Sequence, residues 1–287
     1  MMRHNEFDDE LKYKLYRTVK EILHPTISKR NISNYKIIVD EKLIPVRIFY
    51  PKKVTNMNKV IIFIHGNSEI TKCDGKYSDI SASFSKELDQ LVISIDYEEL
   101  KNDYLEDVYK EIYKTFKYIY NGLIEQIDKE NITLFGDSTG ASAVLYINNK
   151  MEKDNIKISK EILFYPILSG EYFGKTKYNS IKDKTLDNEL ISNLKCYYEK
   201  RLKNQKNRSN YQYFQLKSKE KIKYPNILLL CGNVDPLIDE NREFSKNNNI
   251  NVKEITFASH GFLGTKDKEI KREYITHINS YINNDND

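Results

Sequence analysis

Short apolar runs alternate with amphipathic stretches along most of the chain. Runs such as Val60–Ile64 (VIIFI) and Asn226–Leu230 (NILLL) are typical of strands that are covered on both faces. Strands are predicted at Ile37–Val39, Pro45–Tyr50, Val60–Ile64, Leu91–Ile95, Ile132–Phe135, Glu161–Tyr165, Asn226–Leu230 and Val252–Phe257. Helices are predicted at Ile80–Leu88, Tyr104–Tyr120, Ala141–Ile147, Glu240–Lys246 and Lys268–Ile282. This alternation predicts an α/β fold with a mostly parallel central sheet flanked by helices.

Three parts of the chain depart from this pattern. The first two strands are separated by a polar turn at Asp40–Lys42, which predicts an antiparallel pair. Residues 1–34 have helical spacing, and residues 169–224 form a polar, Lys-rich break in the alternation. We interpret 169–224 as a helical cap inserted into a sheet domain, with the N-terminal segment as part of the cap. The sheet domain is then formed by residues 35–168 and 225–287.

Composition excludes several classes of protein. Hydrophobic residues make up 39% of the 287 positions, which is too many for a disordered chain. Lys and Arg (46) nearly balance Asp and Glu (42), so the net charge of +4 does not suggest nucleic-acid binding, and Lys200–Arg208 is interpreted as a solvated loop or helix end. The sequence shows no apolar leader and no run of 18 apolar residues, so no membrane span is expected.

The three cysteines point to the compartment rather than to the chemistry. Cys73, Cys196 and Cys231 have neither C-x-x-C spacing nor metal-site spacing. A sparse, odd number of cysteines fits a reducing cytoplasm. Cys231 ends an apolar run and is expected to be a buried core residue. We therefore expect a cytoplasmic protein without a cysteine-based metal site.

The strongest chemical signal is Gly136-Asp137-Ser138-Thr139-Gly140, which lies between a predicted strand and a predicted helix. This G-x-S-x-G in a strand–turn–helix context predicts a nucleophile elbow with Ser138 above the edge of the sheet. The glycines leave room for the tight turn, and the helix N-terminus favours developing negative charge. Taken alone, the motif fits equally well a glycine-rich turn with a helix-capping serine.

Three further motifs, at His65, Asp235 and His260, also come after predicted strands, and their order along the chain is informative. His65-Gly66-Asn67-Ser68 comes directly after Val60–Ile64, about seventy residues before the elbow. Asp235 follows the strand NILLL and is favoured over Asp239, which is well placed to cap the next helix. His260 follows the strand that contains ITF. A serine, an aspartate and a histidine at successive strand ends, in that order, predict acyl-transfer chemistry. This chemistry implies neither a metal nor a cofactor.

These motifs resemble those of the hormone-sensitive-lipase-like esterases of the α/β-hydrolase superfamily, from about Lys59 to the C-terminus. Family members carry HGGG, V-x-V-D-Y-R, GDSAG, D-P-L-x-D-E and HGF. The chain has, in the same order, HGNS (65–68), ISIDYEE (93–99), GDSTG (136–140), DPLIDE (235–240) and HGF (260–262). It departs from the family where Asn67 and Ser68 replace glycines and where Glu98 replaces arginine.

The resemblance implies a Ser138–His260–Asp235 triad acting on small or medium-chain acyl esters. The oxyanion hole is then expected at Asn67 and Thr139, with Ser68 and Gly66 as the neighbouring donors. The cap is expected to form the acyl pocket. The oligomeric state stays open, and a homodimer paired through the last strand and helix, which is frequent in the family, is one alternative.

Two other functions remain open from the sequence. An amidase, formamidase or small peptidase would use the same triad, because ester and amide hydrolysis share a tetrahedral intermediate. A hydrolase-fold protein that only binds a small molecule is the other alternative, because a fold does not fix a function.

Overall fold

The computed structural model describes residues 32–53, 58–66, 76–97, 105–123, 127–151, 153–168 and 226–283. The strands are β1 (Ile32–Val39), β2 (Lys42–Phe49), β3 (Asn58–Ile64), β4 (Leu91–Ile95), β5 (Ile127–Asp137), β6 (Lys160–Phe164), β7 (Ile227–Gly232) and β8 (Asn251–Ile255). The α-helices are α1 (Lys76–Leu88), α2 (Leu105–Tyr118), α3 (Thr139–Met151), α4 (Ile238–Asn248) and α5 (Lys268–Asn283). A π-helical turn covers Ile119–Leu123, and a 3₁₀ turn covers Phe262–Gly264.

The strands of the described residues form one sheet in the order β1-β2-β4-β3-β5-β6-β7-β8. The β1–β2 and β2–β4 pairs are antiparallel, and every pair from β4 to β8 is parallel. The turn between β1 and β2 places Asp40 and Glu41 at positive φ, as a two-residue hairpin requires. The α/β fold with a mostly parallel sheet, predicted from the alternation of strands and helices, is confirmed.

The core lies on both faces of the parallel part of the sheet. Every residue of Val60–Ile64 is fully buried, and so are the aliphatic side chains of β7. Successive side chains of a strand point to opposite faces, so this continuous burial means that both faces are covered. A sheet packed in this way is rigid, and its carboxyl edge provides a fixed base for the loops that follow the strands.

One predicted strand is shorter than expected. The strand predicted at Val252–Phe257 ends at Ile255 as β8. Phe257 has a left-handed φ of 55°, and its N–H donates to Oδ1 of Asn233 at 2.9 Å. The chain therefore turns away before Phe257, whose ring is 81% exposed.

The predicted cap (169–224), the basic segment Lys200–Arg208 and most of the predicted N-terminal helical segment lie outside the described residues. Ile32–Asn34, which the sequence pattern assigned to that segment, begin β1. Cys231 is fully buried, as expected. In the part of the chain that the structure describes, no helix combines the length and the apolar character needed to cross a membrane.

Candidate active site

Ser138 lies at the sharp turn between β5 and α3. Its φ of 52° is left-handed, and its N–H donates to the carbonyl of Phe164 on β6 at 2.9 Å. A Cβ on Gly140 would lie 2.2 Å from the carbonyl oxygen of Ile64, so only glycine lets α3 approach β3 this closely. The turn is therefore a strained, close-packed elbow with the serine at its apex.

His260 lies beyond β8 and reaches Ser138. Its Nε2 is 3.0 Å from Oγ of Ser138, which is hydrogen-bonding distance. The loop that carries His260 is fastened to the loop after β7, where the N–H of Val234 donates to the carbonyl of Ala258 at 3.2 Å. The imidazole is only 4% exposed, so its position is set by protein contacts.

Asp235 lies beyond β7 and faces the other nitrogen of the same ring. Nδ1 of His260 is 3.0 Å from Oδ2 and 3.3 Å from Oδ1 of Asp235. Oδ1 also accepts the N–H of Leu237 at 2.8 Å, and the carboxylate is fully buried. Burial, followed by the charge of Asp235, raises the pKa of the Cys231 thiol well above its ordinary value. Asp235 is therefore held in one orientation from several sides.

Asp239, the alternative carboxylate, is elsewhere. Its Oδ1 is 3.3 Å from Nη1 of Arg242, one turn further along α4, and its side chain is 41% exposed. The structure thus brings Ser138, His260 and Asp235 together and leaves Asp239 on the surface of α4.

Asp137, the residue before Ser138, has a buried side chain that accepts several hydrogen bonds. Its Oδ1 accepts the N–H of Gly66 at 2.7 Å, and its Oδ2 accepts the hydroxyls of Tyr77 at 3.0 Å and Tyr165 at 3.3 Å. Burial raises the pKa of Asp137, and the hydrogen bond from Gly66 opposes that rise. The N–H of Gly66 is thus bonded to Asp137, and an oxyanion role for Gly66 stays a prediction.

The loop after β3 is held by aromatic contacts. The His65 ring stacks on the rings of Tyr97 and Tyr77. The ring centroids are 4.6 Å apart with an interplanar angle of 11° for Tyr97, and 4.9 Å apart with an angle of 29° for Tyr77. The Tyr97 hydroxyl donates to the carbonyl of His65 at 2.8 Å. Two of the four predicted oxyanion residues, Asn67 and Ser68, follow directly in the sequence and lie outside the described residues. Thr139 is the first residue of α3 and is buried.

An ion pair forms at Asp96, the residue before Tyr97. Asp96 accepts hydrogen bonds from Nε and Nη2 of Arg47 on β2, and the bond from Nη2 is 2.8 Å long. It accepts a third hydrogen bond from the Ser94 hydroxyl at 2.9 Å. The family carries an arginine one position after the Asp-Tyr pair, whereas this chain has Glu98 there. Arg47 supplies a bidentate partner for the aspartate from a neighbouring strand.

Sequence reasoning missed Tyr165 and Tyr77. Tyr165 follows β6 at the same carboxyl edge that carries Ser138, Asp235 and His260, and this position was the available signal. Tyr77 gave no such signal, because it lies on the buried face of α1 like a core residue. Across the described residues, no group of three or more His, Cys, Asp or Glu side chains is arranged to hold a metal ion.

Comparison with known proteins places this geometry in a family. The profile of the alpha/beta hydrolase fold family matches residues 61–262, which is more than half of the chain. An arylesterase of Saccharolobus solfataricus is 24% identical over 239 residues, covering 79% of this chain and 74% of that protein. Arylacetamide deacetylase-like 3 of Mus musculus is 29% identical over 140 residues, covering 47% of this chain. The chain matches only 34% of the length of the mouse protein.

Solved structures share the fold over nearly the whole chain. An esterase of the archaeon Pyrobaculum calidifontis has a TM-score of 0.71 at 16% identity, over 98% of this chain and 91% of its own. A thermostable esterase from Pseudomonas putida has a TM-score of 0.73 at 13% identity, over 94% of this chain and 88% of its own. At these identities the likeness is one of fold.

Proposed function

Because the chain belongs to the α/β-hydrolase family, we propose that it is a serine carboxylesterase with Ser138 as nucleophile, His260 as base and Asp235 as the residue that orients the base. The observation that carries the proposal is the continuous set of contacts through the imidazole. Nε2 lies 3.0 Å from Oγ of Ser138, and Nδ1 lies 3.0 Å from Oδ2 of Asp235. In this geometry the neutral ring donates from Nδ1 and accepts at Nε2, as a general base must.

In the first half-reaction Ser138 Oγ attacks the ester carbonyl carbon while its proton passes to Nε2 of His260. The buried Asp235 carboxylate stabilises the imidazolium that forms. The carbonyl oxygen becomes negative in the tetrahedral intermediate and needs backbone N–H donors. We assign these to Asn67 and to Thr139 at the start of α3, where the helix N-terminus favours negative charge.

The first half-reaction ends when collapse of the intermediate expels the alkoxide, which takes the proton from Nε2 and leaves as the alcohol. In the second half-reaction the acyl-enzyme is hydrolysed. His260 then removes a proton from water, and the hydroxide attacks the acyl carbon. When the second intermediate collapses, Ser138 Oγ leaves the acyl carbon and takes the proton back from His260, and the carboxylic acid is released. The cycle thus closes without metal or cofactor.

The substrate class is proposed from the relatives. Two of them are named as an arylesterase and as an arylacetamide deacetylase-like protein; the first name refers to aryl esters and the second to removal of an acetyl group. We therefore assign to this chain esters of small or medium acyl chains, with residues 169–224 as the cap over the acyl group. Cytoplasmic location and pairing as a homodimer stay predictions from the sequence.

The test is turnover of p-nitrophenyl acetate, butyrate, octanoate and dodecanoate by the wild type and by Ser138→Ala. The variant is expected to lower kcat by at least about 10³-fold. Ser81→Ala is the matched control, because Ser81 is a buried serine of α1 whose hydroxyl bonds to none of the described residues. The control should keep the wild-type rate.

Each outcome assigns or removes a function. Ser138-dependent ester turnover establishes the esterase, and the preferred chain length measures the acyl site. A Ser138→Ala protein that keeps more than about a tenth of the activity refutes the nucleophile. If all esters are inert, p-nitroacetanilide tests amide hydrolysis, and failure of both substrate types leaves a binding function.

A further inference from the structure

Tyr165 occupies a backbone conformation that a tyrosine rarely adopts. It is the residue directly after β6, and its φ of 38° lies in the left-handed region. Its N–H donates to the carbonyl of Leu230 on β7 at 2.7 Å, so the conformation is held by the sheet. Such strain in a non-glycine residue persists only where the surroundings enforce it, and it concentrates at functional sites.

The strained backbone directs the side chain onto the loop that carries His260. The Tyr165 ring centroid lies 4.7 Å from that of His260 and 4.9 Å from that of Phe262. Gly261, which stands between these two residues, has a left-handed φ of 78°. One side chain therefore contacts the imidazole and the residue that follows Gly261.

The same hydroxyl also reaches the elbow. It donates to Oδ2 of Asp137 at 3.3 Å, while Oδ1 of Asp137 accepts the N–H of Gly66 at 2.7 Å. Burial raises the pKa of the Tyr165 phenol well above its ordinary value, so the hydroxyl keeps the proton that it donates. Tyr165 thus contacts the histidine loop through its ring and the elbow through its hydroxyl, and Asp137 extends this connection to Gly66 in the loop after β3.

We propose that Tyr165 is a positioning residue, which fixes the His260 ring relative to Ser138 and couples that ring through Asp137 to the loop that begins at Gly66. The inference rests on the proposed function, because positioning has meaning only if Ser138 reacts. A general base must lie within hydrogen-bonding reach of its proton, and a displacement of about 1 Å costs on the order of 100-fold in rate. The ring limits tilt of the imidazole, and the hydroxyl fixes the ring.

A purely structural role makes a different prediction. Tyr165 is 1% exposed, and a core position of this kind would accept phenylalanine with little loss beyond that of one hydroxyl. Loss of stability alone lowers the amount of folded enzyme, whereas loss of positioning lowers kcat of the enzyme that is folded. The two roles separate when kcat and KM are measured on folded protein.

The experiment compares Tyr165→Phe with Tyr113→Phe. Tyr113 is also a buried tyrosine, and its hydroxyl donates to Oδ2 of Asp154 at 2.7 Å, on α2 and away from the candidate site. Each variant loses one hydroxyl that donates to a carboxylate, and each keeps its ring. Tyr165→Phe is expected to lower kcat on p-nitrophenyl butyrate about tenfold with KM within twofold, and Tyr113→Phe to leave both constants unchanged.

Coupling through Asp137 is tested by a double-mutant cycle. In an Asp137→Asn background the tyrosine hydroxyl no longer faces a carboxylate, so Tyr165→Phe should lower kcat less than threefold there. An equal effect in both backgrounds overturns the coupling. Circular dichroism at the assay temperature confirms that each protein is folded. Tyr77→Phe, which removes the other hydroxyl on Oδ2 and leaves the Tyr165–Asp137 bond in place, is the control background, in which Tyr165→Phe should keep its full effect.

The outcomes separate this inference from the proposed function. Wild-type turnover that depends on Ser138 but is unchanged in Tyr165→Phe overturns the positioning role and leaves the esterase intact. A fall in kcat that is equal in Tyr165→Phe and Tyr113→Phe overturns it as well. A wild type without Ser138-dependent turnover overturns both.

Discussion

The side-chain amide of Asn148 on α3 donates a hydrogen bond to Oε1 of Glu161 on β6 at 2.7 Å, and both residues are buried. Oε2 of Glu161 and Oδ1 of Asn148 have no partner among the described residues. Burial raises the pKa of Glu161 from 4.5 to about 8, and the hydrogen bond from Asn148 only partly opposes this rise. The Glu161 carboxyl is therefore mostly protonated in the folded protein at neutral pH.

This raised pKa predicts a pH-dependent stability. The folded state binds the proton more tightly than the unfolded state, so the stabilising contribution is present below pH 4.5 and is lost as the pH rises towards about 8. The free energy of unfolding should fall by on the order of 1 kcal/mol per pH unit across this interval. Glu161→Gln should remove that dependence, because a neutral amide of the same shape has no proton to lose.

Urea unfolding between about pH 5 and pH 8 measures the effect. Glu130→Gln serves as the control, because it removes a carboxylate from an exposed position on β5. Parallel pH profiles of the wild type and Glu161→Gln would contradict the assignment of a buried, protonated carboxyl.

The two carboxylates beyond β7 are expected to contribute unequally to catalysis. Asp235→Asn replaces the carboxylate that faces Nδ1 of His260 with a neutral amide, which no longer stabilises the imidazolium, so kcat should fall by about 10³-fold or more. Asp239→Asn alters only a half-exposed contact with Arg242 and should leave kcat within about twofold of the wild type. Steady-state kinetics on p-nitrophenyl butyrate distinguish the two, and a larger loss in Asp239→Asn would reverse the assignment.

Close packing at the elbow predicts that Gly140 cannot be replaced. A Cβ there would meet the carbonyl oxygens of Ile64 and His65 at 2.2 and 2.4 Å. Since both atoms belong to the backbone, Gly140→Ala should destabilise the protein by about 3 kcal/mol or more. Gly261→Asn is the contrast: Gly261 has a φ of 78° with open space around it, and asparagine tolerates this region at a cost of about 1 kcal/mol. Thermal unfolding of both variants measures these losses of stability. Similar losses in the two variants would contradict close packing at the elbow.

The buried thiol of Cys231 is expected to be unreactive towards thiol reagents in the folded protein. It is fully buried, and burial raises its pKa, so almost no thiolate is exposed to a reagent. In a variant with Cys73→Ser and Cys196→Ser, reaction with DTNB should be about 100-fold slower in the native protein than in urea. Rapid modification of the native variant would mean that β7 opens readily at its end.

The hydrophobic pattern was sufficient to predict the sheet. Val60–Ile64 and Leu91–Ile95 are continuous apolar runs because both faces of β3 and β4 are covered, and such runs stand out in a sequence. Ser138, Asp235 and His260 could be selected because each lies in the turn or loop that follows a strand, and parallel strands end at one edge. The strand at Val252–Phe257 was predicted too long, because its end depends on a side chain from another loop, Asn233.

The supporting contacts could not be predicted in the same way. The bonds from Gly66 and Tyr165 to Asp137 join segments far apart in the chain, and they depend on β5 lying between β3 and β6. Strand order is a tertiary property that local periodicity does not encode. Arg47 illustrates the same limit, since its role beside Asp96 follows only from the β2–β4 pairing.

The position of β8 at the margin of the sheet has a consequence for heat tolerance. β8 pairs only with β7 among the described strands, and most of its residues are half-buried at best, whereas β5 lies between two neighbours. Edge elements fray before the centre of a structure opens. Fraying at β8 withdraws the imidazole while the serine turn stays folded. Warming should therefore abolish turnover reversibly at temperatures where the helical circular dichroism is still unchanged, so the working range of the protein is narrower than the range over which it stays folded.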